Sequence, residues 1–211
     1  MDLVDSCTKV ILSKIYVSQF GATGSEMQFI SNDSEIEPDV LRKKLEELKN
    51  SGFVEFMDGR PSLTETGRRS IVVVMTGGAF DIIHPGHVET LEQAKSLGDV
   101  LIVSVARDRT FERNKRRPPQ HAEVLRRNLV SSLRVVDCAV LGSETDIFET
   151  VLLLKPDIIA LGYDQFHEEA KILEEVKKRG LTVQVIRLRS SNPDIKTTAI
   201  ISADPDKLVR L

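Results

Sequence analysis

The sequence predicts an α/β fold: a doubly wound parallel sheet of about five strands, preceded by a small domain of helices and a β-hairpin. Two observations predict it. After about residue 70, short apolar runs rich in β-branched residues alternate with helix-like segments. Such runs are typical of parallel strands buried on both faces, and the alternation favours a doubly wound sheet. Before residue 70, helical patterns are followed by a hairpin pattern.

The elements of the second part follow in a regular order. The apolar runs predict strands at Ile71–Met75, Val100–Ala106, Val136–Leu141, Asp157–Leu161 and Thr182–Ile186. Helical patterns between and after them cover 86–97, 120–133, 145–154, 166–179 and 196–202. Ligands of such sheets bind beyond the carboxyl ends of the strands, so polar residues just after each strand are the first candidates for a site.

The first 70 residues contain two helical patterns and a hairpin. In the clearer helix, Pro38 suits the first turn and Gly52 the stop, and Leu41, Leu45 and Leu48 recur at helical spacing. The stretch FVEFMDGRPSL predicts two strands joined by an Asp58-Gly59 turn. Helices followed by a hairpin resemble a winged-helix domain, which predicts a domain boundary at 70: residues 1–70 and 71–211.

The charge of the predicted N-terminal domain bears on a DNA-binding role. It carries nine basic and twelve acidic residues, a net charge of −3, whereas the rest of the chain is neutral. Because DNA affinity comes mainly from neutralising phosphates, the charge disfavours DNA binding without excluding it. A packing or dimerisation role, with a homodimer as one form, fits better.

Other bulk features point to a cytoplasmic protein without a membrane partner. No apolar run reaches the roughly 18 residues that span a bilayer, and the acidic N-terminus does not resemble a signal peptide. Cys7 and Cys138 are far apart and form no CxxC motif, which predicts a reducing compartment.

The stretch TGGAFDIIHPGH follows the first predicted strand of the second part. Gly77 and Gly78 allow the backbone to approach a ligand closely, and Pro85 marks a helix start. His84 and His87, three residues apart, then share one face of that helix. Free N–H groups at the helix N-terminus bind anions, so with two imidazoles the stretch predicts a polyphosphate site.

Two other interpretations of the histidines exist. Taken alone, the pattern also fits a turn residue and a helix-surface residue. A metal site of His84, His87 and Asp81 has acceptable spacing, but no further His or Cys lies nearby in sequence, so no metal ligand is assigned.

The motif GGAFDIIHPGH resembles the signature of the HIGH-type nucleotidyltransferases, in particular the cytidylyltransferase-like family, over most of residues 71–201. The resemblance implies a catalytic domain at 71–211 and nucleotide contacts from Ala79, Phe80, His84 and His87. Ala79 departs from the family's Thr or Ser, so a hydroxyl contact is replaced by a backbone one.

The resemblance also implies roles for basic residues after the second strand of this domain. The segment ARDRTFERNKRRPPQ is read as a basic loop near the triphosphate. Lys115 and Arg126 match the family's catalytic cations best, with Arg116 as the alternative to Lys115. A solvated basic loop is the competing interpretation.

Two later segments complete the resemblance. In IIALGYDQF, Gly162 and Asp164 match the family's nucleoside-binding element, although Asp164 also suits a helix N-cap. In RLRSSNPDIKTTAII, Arg187 or Arg189 and then Thr197 and Thr198 match its final phosphate-binding segment, in which Lys196 replaces a Ser. The string KPDIIALGYDQ is most similar to the archaeal FAD synthases.

The activity implied by this resemblance is transfer of the AMP part of ATP to FMN, with magnesium as the divalent cation and small molecules as the partners. Two alternatives stay open. One is a CTP-dependent cytidylyltransferase acting on glycerol-3-phosphate or another small phosphoalcohol. The other is a DNA-binding regulator that senses a nucleotide.

Overall fold

The computed structural model describes residues 4–20, 30, 36–163, 165 and 168–189. Its larger sheet has five parallel strands in the order β5-β4-β3-β6-β7, which confirms the predicted doubly wound, Rossmann-like fold. The strands are β3 (Val73–Gly78), β4 (Val100–Val105), β5 (Cys138–Leu141), β6 (Ile158–Leu161) and β7 (Gln184–Arg187). From β3 the chain proceeds outward through β4 to β5, and then returns to β6 on the other side of β3. The switch point, where such folds bind ligands, therefore lies between the carboxyl ends of β3 and β6.

The helices of this part are close to those predicted, with one exception. They are α4 (Pro85–Lys95), α5 (Asp108–Lys115), α6 (Glu123–Ser131), α7 (Ile147–Leu154) and α8 (Glu169–Lys178). Helix α5 corrects the prediction of a basic loop after β4. It forms because Phe111 packs into the core while the charged residues around it remain on the outer face. The predicted helix at 196–202 lies outside the described residues.

The N-terminal part contains the predicted helices and hairpin. They are α1 (Ser6–Ser18), α2 (Pro38–Asn50), β1 (Val54–Met57), β2 (Arg60–Leu63) and the short α3 (Glu65–Arg69). Asp58 and Gly59 both have positive φ, as a two-residue hairpin turn requires. The winged-helix assignment and the boundary at 70 stay predictions.

The two faces of the sheet bury different apolar clusters, because side chains alternate along each strand. On one face Val74 and Leu101 pack with Leu91 of α4 and Val130 of α6. The other face buries a larger cluster, which is continuous with the N-terminal part; its members include Ile11, Leu12, Ile15, Val73, Met75, Ile102, Leu154 and Ile159. The first 70 residues and the sheet therefore share one core.

Aspartates close the edge of the sheet at which the strands begin. Each precedes a strand, accepts a hydrogen bond from a backbone N–H at the start of the neighbouring strand and pairs with a cation. The three sets are Asp99 with Val72 N at 2.8 Å and Lys9 at 3.0 Å, Asp157 with Val73 N at 2.7 Å and Arg68 at 2.9 Å, and Asp137 with Leu101 N at 2.7 Å and Lys95. We call these sets the amino-edge latches.

Residues of the N-terminal part supply the cation in two of the amino-edge latches. Lys9 lies on α1 and Arg68 on α3, and the Arg68 guanidinium also donates to the carbonyls of Ile71 and Lys155. Tyr16 of α1 donates its hydroxyl to the carbonyl of Leu154. The N-terminal part is therefore held to the amino edge, opposite the switch point. Among the described residues, no helix has the length and apolar character needed to span a membrane.

Candidate active site

The candidate site lies where the chain leaves the carboxyl ends of β3, β4, β6 and β7. At the end of β3 the turn is tight. Phe80 has a φ of 49°, a left-handed conformation that few non-glycine residues adopt, and its ring is buried. A Cβ on Gly78 would come within 2.7 Å of that ring, so any larger residue there would have to displace it. The strained turn seats the ring 5.2 Å from that of His87.

The two histidines open helix α4 together. His84 is the N-cap residue in extended conformation, Pro85 follows at the first helical position, and His87 lies one turn on. Their rings are stacked with centroids 3.9 Å apart. Both are partly buried beside the first N–H groups of the helix. The predicted shared face is present, and it can donate several hydrogen bonds to one anion.

Asp81 has a partner that the sequence did not reveal. Its side chain is almost fully buried, with 3% of the residue exposed. One carboxylate oxygen accepts from Arg117 Nη2 at 2.8 Å and the other from the backbone N–H of Gln120 at 2.6 Å. The described residues contain no group of three or more His, Cys, Asp or Glu side chains placed to hold a metal ion. Asp81 therefore joins the β3–α4 turn to the segment that follows α5.

Arg126 of α6 lies in the interior, with 1% of the residue exposed. Its guanidinium donates to the carbonyls of Ala79, Ala106 and His121 and to the carboxylate of Asp108. Four of its five N–H groups are thereby used. In this conformation Arg126 ties the ends of β3 and β4 to α6, and it presents almost no surface to a triphosphate.

The other basic residues after β4 fall into two groups. Arg107, Arg109 and Arg117 form ion pairs, with Glu123, Glu144 and Asp81 respectively. The second group is exposed, and no ion pair or side-chain hydrogen bond holds it within the part of the chain that the structure describes: Arg113, Lys115 and Arg116. We call this group the basic tip. Lys115 ends α5, and Arg116 follows it with a φ of 55°.

Glu123 stabilises the start of α5 below the basic tip. Its carboxylate accepts from the backbone N–H of Asp108 at 2.7 Å and from Arg107 at 2.6 Å. The Asp108 N–H, followed by the Arg107 guanidinium, holds the pKa of the Glu123 carboxyl below its usual value. An ionised Glu123 next to the N-terminus of α5 stabilises the first turn of that helix.

The turn after β6 is held across the switch point. Gln165 donates from Nε2 to the carbonyl of Gly77 at 2.6 Å. Arg187, at the end of β7, donates to the carbonyls of Gly162 and Gln165 at 3.1 and 2.9 Å and pairs with Glu169 at 2.6 Å. Gly162 therefore lies beside the end of β3.

Three predicted site residues lie outside the described residues: Asp164, Thr197 and Thr198. The segment that leads toward the two threonines is nevertheless anchored at its start. The side-chain amide of Gln93 on α4 donates to the carbonyl of Arg189 at 2.9 Å and accepts from its N–H at 3.2 Å. The histidine-bearing helix therefore also holds the chain beyond β7.

Sequence reasoning missed the side chains that connect these loops. Asp81 gave one usable signal, since a carboxylate inside the apolar stretch AFDII needs a buried partner. Gln93 and Gln165 gave none, because an amide in a polar stretch looks like surface.

Comparisons with known proteins give a family and several relatives. The model of the family described as cytidylyltransferase-like matches residues 75–203. A protein named FAD synthase from Aciduliprofundum boonei is 52% identical over 119 residues, which are 56% of this chain and 79% of that protein. A protein of the same name from Archaeoglobus profundus is 52% identical over 57% of this chain and 76% of its own length.

A solved structure is also similar to this chain. It is named the lipopolysaccharide core biosynthesis protein from Thermoplasma volcanium, is 47% identical to this chain and superposes on it with a TM-score of 0.55. The match covers 57% of this chain and 98% of that one. The family model begins at residue 75, after the predicted N-terminal domain.

Proposed function

Because the chain belongs to the cytidylyltransferase-like family, we propose that it is an FAD synthase, a nucleotidyltransferase that joins the AMP part of ATP to FMN. The observation that carries the proposal is the stacked His84–His87 pair at the N-terminus of α4. The pair lies within residues 75–203, which match the family model, and proteins named FAD synthase are 52% identical to this chain over 119 and 122 residues. The matched segments cover 79% and 76% of those two proteins.

The reaction needs positioning and charge stabilisation rather than a covalent intermediate. An oxygen of the FMN phosphate attacks the α-phosphorus of ATP. The bond from that phosphorus to the oxygen bridging to the β-phosphate breaks, and pyrophosphate leaves with the electron pair. His84, His87 and the first N–H groups of α4 would donate to the α- and β-phosphates, on which charge builds.

The other site residues fall into contact and support roles. We propose that Lys115 of the basic tip, or Arg116 beside it, binds the triphosphate, and that Ala79 and Phe80 contribute backbone contacts. Gly162 and Asp164 are proposed to contact the nucleoside, and Thr197 and Thr198 the phosphates. Arg126 was predicted to touch the triphosphate. Its four internal hydrogen bonds support a positioning role more strongly.

Magnesium is proposed to arrive with ATP as part of the substrate. Asp81, Asp108 and Glu123, the carboxylates near the β3 and β4 ends, each accept from a cation of the chain. They are thus poor candidates for a dedicated metal cage. Magnesium commonly keeps most of its water and binds through substrate phosphates, which needs no such cage.

The cellular setting and the assembly are also proposals. ATP and FMN as substrates favour the cytoplasm. A homodimer is supported by the exposed face of α6, on which Val124, Leu125 and Leu129 are about half exposed. Apolar faces with few charges are typical of interfaces between subunits.

The experiment that tests the function measures pyrophosphate release by the full chain with magnesium, for each pairing of ATP or CTP with FMN or glycerol-3-phosphate. The proposal expects release with ATP and FMN at least tenfold faster than with any pairing that contains CTP, because a base-specific site leaves polar groups unpaired against the wrong base. Release with CTP and glycerol-3-phosphate alone would favour the cytidylyltransferase. No release with any pairing, together with salt-dependent binding to DNA, would favour the regulator.

A further inference from the structure

We infer that Asp81 is a positioning residue, which sets the basic tip over the triphosphate by holding Arg117 and Gln120. The inference deepens the proposed function and rests on it. Asp81 lies three residues before His84, in the same turn. Its two partners lie just after the basic tip. One buried carboxylate thereby fixes the distance between the two groups proposed to bind phosphate.

The geometry of the link favours orientation over simple charge pairing. Asp81 uses each oxygen for a different donor, a guanidinium at 2.8 Å and a backbone N–H at 2.6 Å. The second bond fixes the main chain itself and not only a side chain. Arg117 in turn lies over the Phe111 ring at 5.0 Å and donates to the carbonyl of Pro118. The segment from Arg117 to Gln120 is therefore held at both ends.

The adjacent arginines Arg116 and Arg117 then have different roles. Arg117 neutralises Asp81, so its charge is not available to a phosphate without exposing a buried carboxylate. Arg116 is exposed and has no such partner within the described residues. Binding of the triphosphate therefore falls to the basic tip, and Arg117 serves to hold that tip in place.

The chain offers a matched control. Asp99, at the opposite edge of the sheet, also accepts from one cation and one backbone N–H, those of Lys9 and Val72. An Asp→Asn change at either position keeps the shape, removes the charge and weakens the same two kinds of bond. Only the change at Asp81 should alter ATP binding.

The test measures ATP affinity, KM for ATP, kcat and Tm for the full-length Asp81→Asn and Asp99→Asn variants. For Asp81→Asn we expect KM and Kd for ATP to rise about tenfold or more, since small displacements of a binding group cost this much, with a smaller change in kcat. For Asp99→Asn we expect a lower Tm and ATP constants within about twofold of the wild type. Equal ATP constants in the two variants would overturn the inference.

A second pair of variants covers the case in which Asp81→Asn does not fold. Arg117→Gln, at a partly exposed position, should raise KM for ATP in the same way, and Arg117→Lys should restore part of the loss. In the Asp81→Asn/Arg117→Gln double variant the effects should not add, because both break one link. Additive effects, or a normal KM in folded Arg117→Gln, would count against the inference. Failure of the proposed function would appear separately, as a wild-type chain that makes no FAD from ATP and FMN.

Discussion

At both edges of the sheet, an aspartate accepts from a backbone N–H and from a cation, but the surrounding charge differs. At the amino edge, Asp99, Asp137 and Asp157 each bind a backbone N–H and a cation. At the carboxyl edge Asp81 does the same, but the three cations of the basic tip next to it have no carboxylate partner within the described chain. Charge that is balanced within the protein therefore stabilises the fold, and positive charge that is not balanced is available to an anionic substrate.

Helix α4 connects the two edges. It begins at the histidines and ends at Lys95, which pairs with Asp137 and donates to the carbonyl of Asp99 at 2.7 Å. One helix therefore places its N-terminus at the site by fixing its C-terminus at the opposite edge. We therefore expect variants at the carboxyl edge to change catalysis and variants at the amino edge to change stability.

The largest effect is expected at the histidines. His84→Ala or His87→Ala should lower kcat by roughly 100-fold or more, as removal of a donor to transition-state charge does elsewhere. Tm should change little, because neither ring is fully buried. Steady-state kinetics and thermal melts of each variant check this. A normal kcat in either folded variant would remove that residue from the proposed mechanism.

The next effect is expected at the basic tip. Lys115→Ala should lower kcat/KM for ATP by about 10-fold to 100-fold, as loss of a hydrogen bond to a charged group implies. Arg116→Ala tests the alternative alignment by the same kinetic measurement. Arg109→Ala is the control, since Arg109 is exposed and pairs with Glu144 outside the proposed contacts. If Arg109→Ala lowers kcat/KM for ATP as much as Lys115→Ala does, the basic tip affects ATP only through the overall positive charge of this region and not through a specific contact.

A loss of stability without a loss of ATP binding is expected at the amino edge. Arg68→Gln should lower the free energy of unfolding by about 1–3 kcal/mol, because it removes hydrogen bonds to Asp157, Ile71 and Lys155. Urea unfolding measures the loss, and ATP titration checks that the affinity stays within twofold. A weaker affinity for ATP would show that the N-terminal part acts on the site.

The smallest effect is expected from Tyr16→Phe and depends on pH. Burial, the main cause, raises the pKa of Tyr16 to about 12 from an ordinary value of 10.0. The folded state therefore favours the protonated hydroxyl, and this contribution is complete below pH 10 and is lost as the pH rises toward 12. Burial also raises the pKa of the Cys138 thiol to about 11, which acts in the same direction from pH 9 upward.

The comparison of wild type with Tyr16→Phe isolates the tyrosine. From pH 8 to pH 11, the urea midpoint of Tyr16→Phe should fall less than that of the wild type. At pH 8 itself the variant should be slightly less stable, since it lacks the hydrogen bond to Leu154. An equal fall in both proteins would mean that Tyr16 does not titrate in this range.

Sequence reasoning reached the parts of the molecule in which local pattern and tertiary structure agree. The five strands were predictable because each is an apolar run, and both faces of β3, β4 and β6 are buried. The histidine pair was predictable because Gly77 and Gly78 precede it and Pro85 lies within it. Helix α5 was missed because Phe111 is the single apolar residue in DRTFERNK, and one buried side chain sets no period. The Asp81 link joins residues 36 positions apart, a separation that no local pattern reveals. The shared core was missed for a similar reason, since the helical pattern of α1 does not say what it packs against.

Formation of FAD over time tests whether the carboxyl edge carries out adenylyl transfer to FMN. The full chain and the His84→Ala/His87→Ala double variant are incubated with FMN, ATP and magnesium, and the flavins are separated over time. We expect the wild type to accumulate FAD, and the double variant, with an unchanged thermal melt, to form it at about 1% of that rate or less. No FAD from the wild type, or near-normal FAD formation by the folded double variant, would contradict it.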